Sequence, residues 1–316
     1  MINYLRISVT DRCNLRCLYC HPEGVVGRGE LLSFEEIYQI AQAAVLLGIK
    51  RIRLTGGEPT VRRGLLRLIE MLSSLDGLKE LTLTTNGLLL FPMTRDLKAA
   101  GLSRVNVSLD TLDPEKYVRI TGVDGHSRVL QGINAARKCG LEPVKINMVA
   151  MKGINDDEIE KFVLYAMGEG IRVRFIEMMP FHCNKGLQKE HFLSAGEILG
   201  VLQQKFSLVE SGGGGPGPAR YYSIGESVGL IGLITPFSRP FCASCNRLRL
   251  TSRGGLRNCL FSDHELDLRA HVRTGAGMEE LSDLIRSSIS MKGSDHHHLI
   301  HGEPGCNVYS ISQIGG

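Results

Sequence analysis

The segment YLRISVT, residues 4–10, puts Leu5, Ile7 and Val9 on one side of an extended chain and Arg6, Ser8 and Thr10 on the other. RIRLT, residues 51–55, repeats the pattern, with Ile52 and Leu54 opposite Arg51, Arg53 and Thr55. Residues 80–84, 104–110, 144–150 and 172–176 alternate in the same way. A strand with this period has one apolar and one polar face. A parallel sheet covered on both faces would instead read as nearly continuous apolar runs. Helical patterns lie between these strands. One opens at Ser33, where Glu36 completes a capping box, and others are expected near residues 64–74, 93–100, 127–139 and 156–168. Six β–α units with right-handed crossovers satisfy either a doubly wound sheet or a partial barrel. The polar strand faces favour a curved sheet around a wet cavity, into which Arg6, Arg53, Lys145 and Arg174 each bring a cation.

The chain has 316 residues, enough for one large domain or two modest ones. A hydrophobic content of 43% and a charged content of 22% exclude a disordered or fibrous protein. No run of 18 apolar residues is present, so no membrane span is expected. The start of the chain enters a strand at once, without a signal-peptide core, and predicts a cytoplasmic protein. Net charge is only +4, aromatic residues are 6% and tryptophan is absent, which argues against a nucleic-acid module. After Glu177 the pattern changes. A helix near residues 195–206 leads into SGGGGPGPAR, residues 211–220, which reads as a flexible link. Short strand-like pieces at 220–224 and 228–234 and a helix near 278–290 follow. The expected division is residues 1–210 as the barrel and residues 211–316 as a smaller C-terminal domain. His296, His297, His298 and His301 read as a solvated polar loop.

Nine cysteines, an odd number, make a poor disulfide framework. Cys139, Cys183 and Cys306 stand alone and read as buried or inert thiols. The other six form two triplets. Cys13-x3-Cys17-x2-Cys20 follows the first strand. Three thiolates this close can hold three irons of a 4Fe–4S cube and leave the fourth open to a substrate. Structural zinc wants four ligands, commonly in C-x2-C pairs. Cys242-x2-Cys245-x13-Cys259 is also one ligand short of a closed cluster; a zinc knuckle borrowing His264 is the alternative.

The first triplet, with aromatic Tyr19 before its last cysteine, and the turn Gly56-Gly57-Glu58-Pro59 after the second strand resemble the signature of radical S-adenosylmethionine (SAM) enzymes. With the second triplet, the intervening Arg247-Leu-Arg249 and the final Gly315-Gly316, nearly the whole chain resembles the GTP 3′,8-cyclase family of molybdenum cofactor biosynthesis. That resemblance implies a partial (β/α)6 TIM-type barrel with a C-terminal cluster domain, two 4Fe–4S clusters and SAM. It implies a lyase that converts GTP to (8S)-3′,8-cyclo-7,8-dihydroguanosine 5′-triphosphate. A 5′-deoxyadenosyl radical would take hydrogen from C3′, and the ribose carbon would then attack C8.

The same resemblance carries roles to matching positions. Tyr19, Gly57, Ser108 and Met179 would touch SAM. Arg6, Arg53, Thr84, Lys145, Arg247 and Arg249 would touch GTP, and Arg174 would stand near the reacting sugar. Gly315 and Gly316 would thread into the active site, since glycine lacks a side chain and passes where others do not. Implied partners are GTP, an electron donor such as flavodoxin or ferredoxin and, downstream, cyclic pyranopterin monophosphate synthase; the chain is compatible with a homodimer. Where the family pattern carries an arginine, this sequence has Tyr309 or its neighbours. The rivals are a radical SAM enzyme acting on a peptide and, outside enzymes, a cluster-bearing electron carrier or a zinc-stabilised nucleic-acid binder.

Overall fold

The computed structural model describes residues 2–20, 30–181, 184–212, 217–262, 264–292 and 314. Six strands open successive β–α units: β1 (Tyr4–Ser8), β2 (Arg51–Thr55), β3 (Glu80–Thr85), β4 (Arg104–Ser108), β5 (Lys145–Ala150) and β6 (Arg172–Glu177). Helices α1 (Phe34–Leu46), α2 (Leu65–Ser73), α3 (Leu90–Ala99), α4 (Pro114–Thr121), α5 (His126–Lys138) and α6 (Ile159–Glu169) follow them. The chain continues through α7 (Lys185–His191) and α8 (Ala195–Gln203) to β7 (Leu208–Ser211), β8 (Arg220–Ile224) and β9 (Leu230–Ile234). It then runs through β10 (Arg247–Leu250), β11 (Gly255–Arg257) and β12 (Leu266–Asp267) to α9 (Leu268–Arg273) and α10 (Met278–Ser290).

Local chemistry explains several boundaries. Ser33 and Glu36 close the capping box of α1, and Ser194 and Glu197 close that of α8. Helix α4 lay unread in the sequence, although Asp113 caps it and Pro114 occupies its first turn.

All twelve strands share one sheet, in the order β12-β11-β10-β1-β2-β3-β4-β5-β6-β9-β8-β7. From β10 through β9 every pairing is parallel, and at both flanks the pairings turn antiparallel. The barrel is therefore partial, with β1–β6 at its centre. The apolar strand faces lie under the helices: Ile7, Ile52, Leu54, Val105, Val107 and Ile146 are all fully buried. Each such side chain contributes roughly 1.5–3 kcal/mol by leaving water. The polar faces meet across the register. Arg6 stands opposite both Arg53 and Arg249, and Arg53 opposite Thr82. Asn106 stands opposite Lys145, and Asn147 stands between Ser108 and Arg174.

Candidate active site

At the carboxyl end of β1 the chain enters the first cysteine triplet, on the face where barrel folds place their chemistry. The loop is held by its own backbone: Cys20 N–H donates to Cys17 O at 3.1 Å, Arg16 N–H to Thr121 O at 2.9 Å and Leu18 N–H to Ile120 O at 3.0 Å. The glycine turn straps onto it, with Gly57 N–H donating to Thr10 O and Glu58 N–H to Arg12 O, both at 2.8 Å. A Cβ at Gly57 would sit 2.4 Å from Arg12 O, so no other residue permits this approach. Glu58, which sequence alone marks only as part of a turn, is fully enclosed. Its carboxylate accepts from Thr60 N–H and hydroxyl, the Thr85 hydroxyl and Asn86 N–H, at 2.6–3.0 Å. Asn86 in turn directs its amide at Cys13 Sγ, 3.9 Å away. Burial, followed by the neighbouring Cys20, Asp110 and Cys13, pushes the Cys17 thiol well up.

The first two cysteines of the second triplet stand just before β10, the strand that pairs with β1. Cys245 N–H donates to Cys242 O at 3.0 Å, and Arg247 Nε–H to Cys245 Sγ at 3.4 Å. Burial raises the Cys245 thiol, but Arg247 and then Lys292 outweigh it and bring it down to about 7. Lys292 lies 33 residues past Cys259 in sequence and carried no local signal. Its ammonium reaches Arg247 O at 2.7 Å. Both triplets are free thiols with no disulfide among the described residues, and their donor chemistry suits iron–sulfur clusters. Among the described residues no three cysteine, histidine or carboxylate side chains converge as the ligands of a single ion would.

A cavity of about 710 Å³, within the range of small-molecule sites, opens on the second triplet; Cys13, Cys17, Cys20, Tyr19, Gly57 and Ser108 are not among the residues that line it. Arg6, Arg53, Thr84, Lys145, Arg174 and Met179 line it, and so do Cys242, Cys245, Arg247, Arg249 and Cys259. Arg53, Lys145 and Arg174 keep only 6–7% of their surface exposed. Arg53 donates to Thr82 and Thr84 hydroxyls at 3.2 and 3.4 Å, and its guanidinium lies over the Tyr4 ring at 5.6 Å. Burial and then neighbouring arginines depress these cations: Arg174 and Arg249 to about 10, Lys145 to about 6. Arg174 Nε, Asn106 Nδ2 and Asn147 Oδ1 are buried with no hydrogen-bond partner among the described residues. Such groups cost free energy until a polar ligand meets them.

Several lining residues were not singled out from sequence. Tyr4, Arg51, Arg104, Asn147 and Arg172 fall on the same strand faces as the predicted cations. Gly217, Pro218 and Ala219, read as part of a link, line the cavity as well. Cys13, Cys17, Cys20, Tyr19, Gly57 and Ser108 sit at the carboxyl ends of β1, β2 and β4 and in the loops that follow. Gly315, Gly316, Cys183, Cys306 and the four histidines of the polar loop lie outside the described residues. Ile314 is described and fully buried, packed with Phe181, Cys259 and Phe261 beside the second triplet.

Two family models match successive parts of the chain. Residues 7–166 match the radical SAM superfamily model, and residues 171–298 match the molybdenum cofactor synthesis C-terminal model. A GTP 3′,8-cyclase of Pelotomaculum thermopropionicum is 46% identical, covering all of this chain and 98% of that protein. One of Thermodesulfovibrio yellowstonii is 47% identical with the same coverage. Among solved structures, SuiB of Streptococcus suis bound to precursor peptide SuiA aligns at a TM-score of 0.65 and 16% identity. That alignment covers 90% of this chain and 64% of SuiB, and it speaks for the fold alone. Full-length identity to the cyclases, two family models in the expected order and a cationic lumen that opens on the second cysteine triplet agree: the chain belongs to the GTP 3′,8-cyclase family of the radical SAM superfamily.

Proposed function

We propose that the lumen cations and the two cysteine triplets form one reaction chamber in which GTP is cyclised to its 3′,8-cyclo-dihydro triphosphate, the first step of molybdenum cofactor biosynthesis. The cofactors are SAM and 4Fe–4S clusters. The carrying observation is the set of cavity-lining cations Arg6, Arg53, Lys145 and Arg174, the last three of them buried, beside Arg174 Nε and Asn147 Oδ1, which have no hydrogen-bond partner among the described residues. Bound SAM on a reduced N-terminal cluster supplies a radical that takes hydrogen from C3′ of GTP. The chain's own residues do the rest. Cys13, Cys17 and Cys20 hold that cluster, and Tyr19, Gly57, Ser108 and Met179 seat SAM over it. Cys242, Cys245 and Cys259 hold the second cluster, with Arg247 and Arg249 flanking the purine. Arg6, Arg53, Thr84 and Lys145 bind the remainder of GTP, and Arg174 stands at the reacting sugar. Gly315 and Gly316 enter the chamber, a reading supported by the burial of Ile314 just before them.

In this scheme residues 1–210 cut the radical loose and residues 211–316 present the purine. Electrons come from a donor such as flavodoxin or ferredoxin, the product passes to cyclic pyranopterin monophosphate synthase, and the protein works in the cytoplasm. No described helix is long and apolar enough to cross a membrane.

Anaerobically reconstituted protein given SAM, GTP and dithionite is expected to form 5′-deoxyadenosine and a cyclised purine nucleotide together. Deoxyadenosine that rises with a peptide and not with GTP would overturn the reading. In the same preparation Arg53→Ala and Lys145→Ala each weaken GTP binding by about 1–3 kcal/mol, with both clusters assembled. Unchanged GTP affinity in both variants would remove the triphosphate from the concave face.

Lys145 also gives the sign of a pH effect. Burial first, then Arg174, Arg104, Arg172 and Arg53, lower it to about 6, so the empty chamber holds it largely neutral at neutral pH. Its ammonium also lies over the Tyr221 ring, 5.4 Å away. A bound polyphosphate favours the charged amine and raises that value. GTP binding therefore takes up a proton, and affinity falls as pH rises from about 6 towards the raised value of the complex. Calorimetry at neutral pH in two buffers of different ionisation enthalpy measures the uptake; none at all would contradict this account.

A further inference from the structure

Tyr19 is tied at both ends by side chains that no role assigned so far explains. Its hydroxyl donates to Asp110 Oδ2 at 2.7 Å, and its carbonyl accepts from Asn184 Nδ2 at 3.0 Å. Both partners are themselves fixed. Asp110 Oδ1 accepts from Val149 N–H at 2.8 Å, and the Asp110 carbonyl accepts from the fully buried Asn155 at 2.8 Å. Asn184, just before α7, sends the same amide to Met179 O at 3.2 Å and accepts from Phe181 N–H at 2.7 Å through Oδ1. Asp110 keeps 5% and Asn184 3% of its surface exposed. Polar groups this deeply buried are tolerated because their hydrogen bonds are made.

The placement matters. Asp110 lies two residues beyond Ser108, and Asn184 ties Tyr19 directly to Met179. The two side chains thus join the segments after β1, β4 and β6, each of which carries a proposed SAM contact. The cysteine loop has further anchors besides them, in backbone bonds to Ile120 and Thr121 and within the loop. We propose that Asp110 and Asn184 are positioning residues for the SAM site, a two-ended clamp that aims Tyr19 and holds Met179 beside it. The proposal rests on the SAM reading of this loop.

The test uses anaerobically reconstituted full-length protein carrying Asp110→Asn, Asn184→Asp, Tyr19→Phe and the Tyr19→Phe/Asp110→Asn pair. Asp110→Asn leaves one oxygen for two donors. Asn184→Asp keeps the acceptor for Phe181 N–H but turns a donor facing two carbonyls into an acceptor. SAM affinity is read by equilibrium dialysis, with iron content and the change in the reduced cluster's EPR spectrum on SAM addition. Each single variant is expected to bind SAM about tenfold more weakly, with iron retained and a smaller spectral change. The double variant should be no weaker than its weaker parent, because both changes remove one bond. Unchanged affinity and spectrum in Asp110→Asn and Asn184→Asp would overturn the clamp alone. So would loss of iron, which would make the pair a structural support, or full additivity in the double variant. Wild-type protein that binds no SAM would overturn the site reading together with the clamp. Should Asp110→Asn fail to fold, Tyr19→Phe removes the same bond from the other side and carries the comparison with Asn184→Asp.

Discussion

Protein with Cys13, Cys17 and Cys20 all changed to alanine is expected to retain about four irons after anaerobic reconstitution, against about eight in the wild type. It should cleave no SAM. The companion variant, with Cys242, Cys245 and Cys259 changed, should also keep about four irons, but the loss should fall chiefly on GTP chemistry. The asymmetry follows from where the loops stand. The first triplet shares its turn with Tyr19 and is strapped to Gly57. The second lines the cavity together with Arg247, Arg249 and Lys292. Iron and deoxyadenosine assays on the two triple variants decide the matter. One zinc in place of the second cluster would defeat the argument that an open iron meets the purine.

Removal of Gly315 and Gly316 should abolish cyclisation while sparing both clusters and most GTP affinity. Ile314 gives this a structural foothold, since it is buried against the stacked rings of Phe181 and Phe261, whose centroids are 5.6 Å apart. Ile314 shares that cluster with Cys259, and Met179 packs against it. Two glycines can advance further where side chains would collide with the arginine-lined wall. The measurement is product formation by the shortened protein, with iron and GTP binding as controls. A peptide carrying the lost residues, supplied separately, should restore some turnover. Full activity after truncation would return the tail to an ordinary frayed end.

The barrel was legible because every central strand alternates, so the apolar residues under the helices and the polar residues of the lumen sort themselves without a structure. Arg6, Arg53, Lys145 and Arg174 could be read as companions for that reason. The flanks were not legible. Nothing local in residues 247–250 says that they pair with β1, some 240 residues earlier, yet Tyr4 faces Arg247 and Asn246 bonds Asn3. Parallel pairing leaves no hairpin turn to announce it. Within the site, Glu58, Asp110, Asn184 and Lys292 stayed hidden because a buried polar residue looks like an exposed one until its partners are known. The resemblance supplied what patterning could not, above all the pairing of the two cysteine triplets with one substrate.

The placement of β10 beside β1 sets the order in which the molecule can be built. Strand β1 is flanked on one side by β2 and on the other by β10, which is translated some 240 residues later. At 5–20 residues per second, that gap leaves an edge of β1 unpaired for roughly 10–50 s. Contacts of such long sequence separation also slow folding, and an open strand edge is a template for pairing with other chains. Cys13, Cys17 and Cys20 emerge directly after that strand. Nascent chains should therefore depend on chaperone cover until residue 250 has cleared the exit tunnel, and a protein split between β9 and β10 should aggregate through β1 unless both fragments are made together.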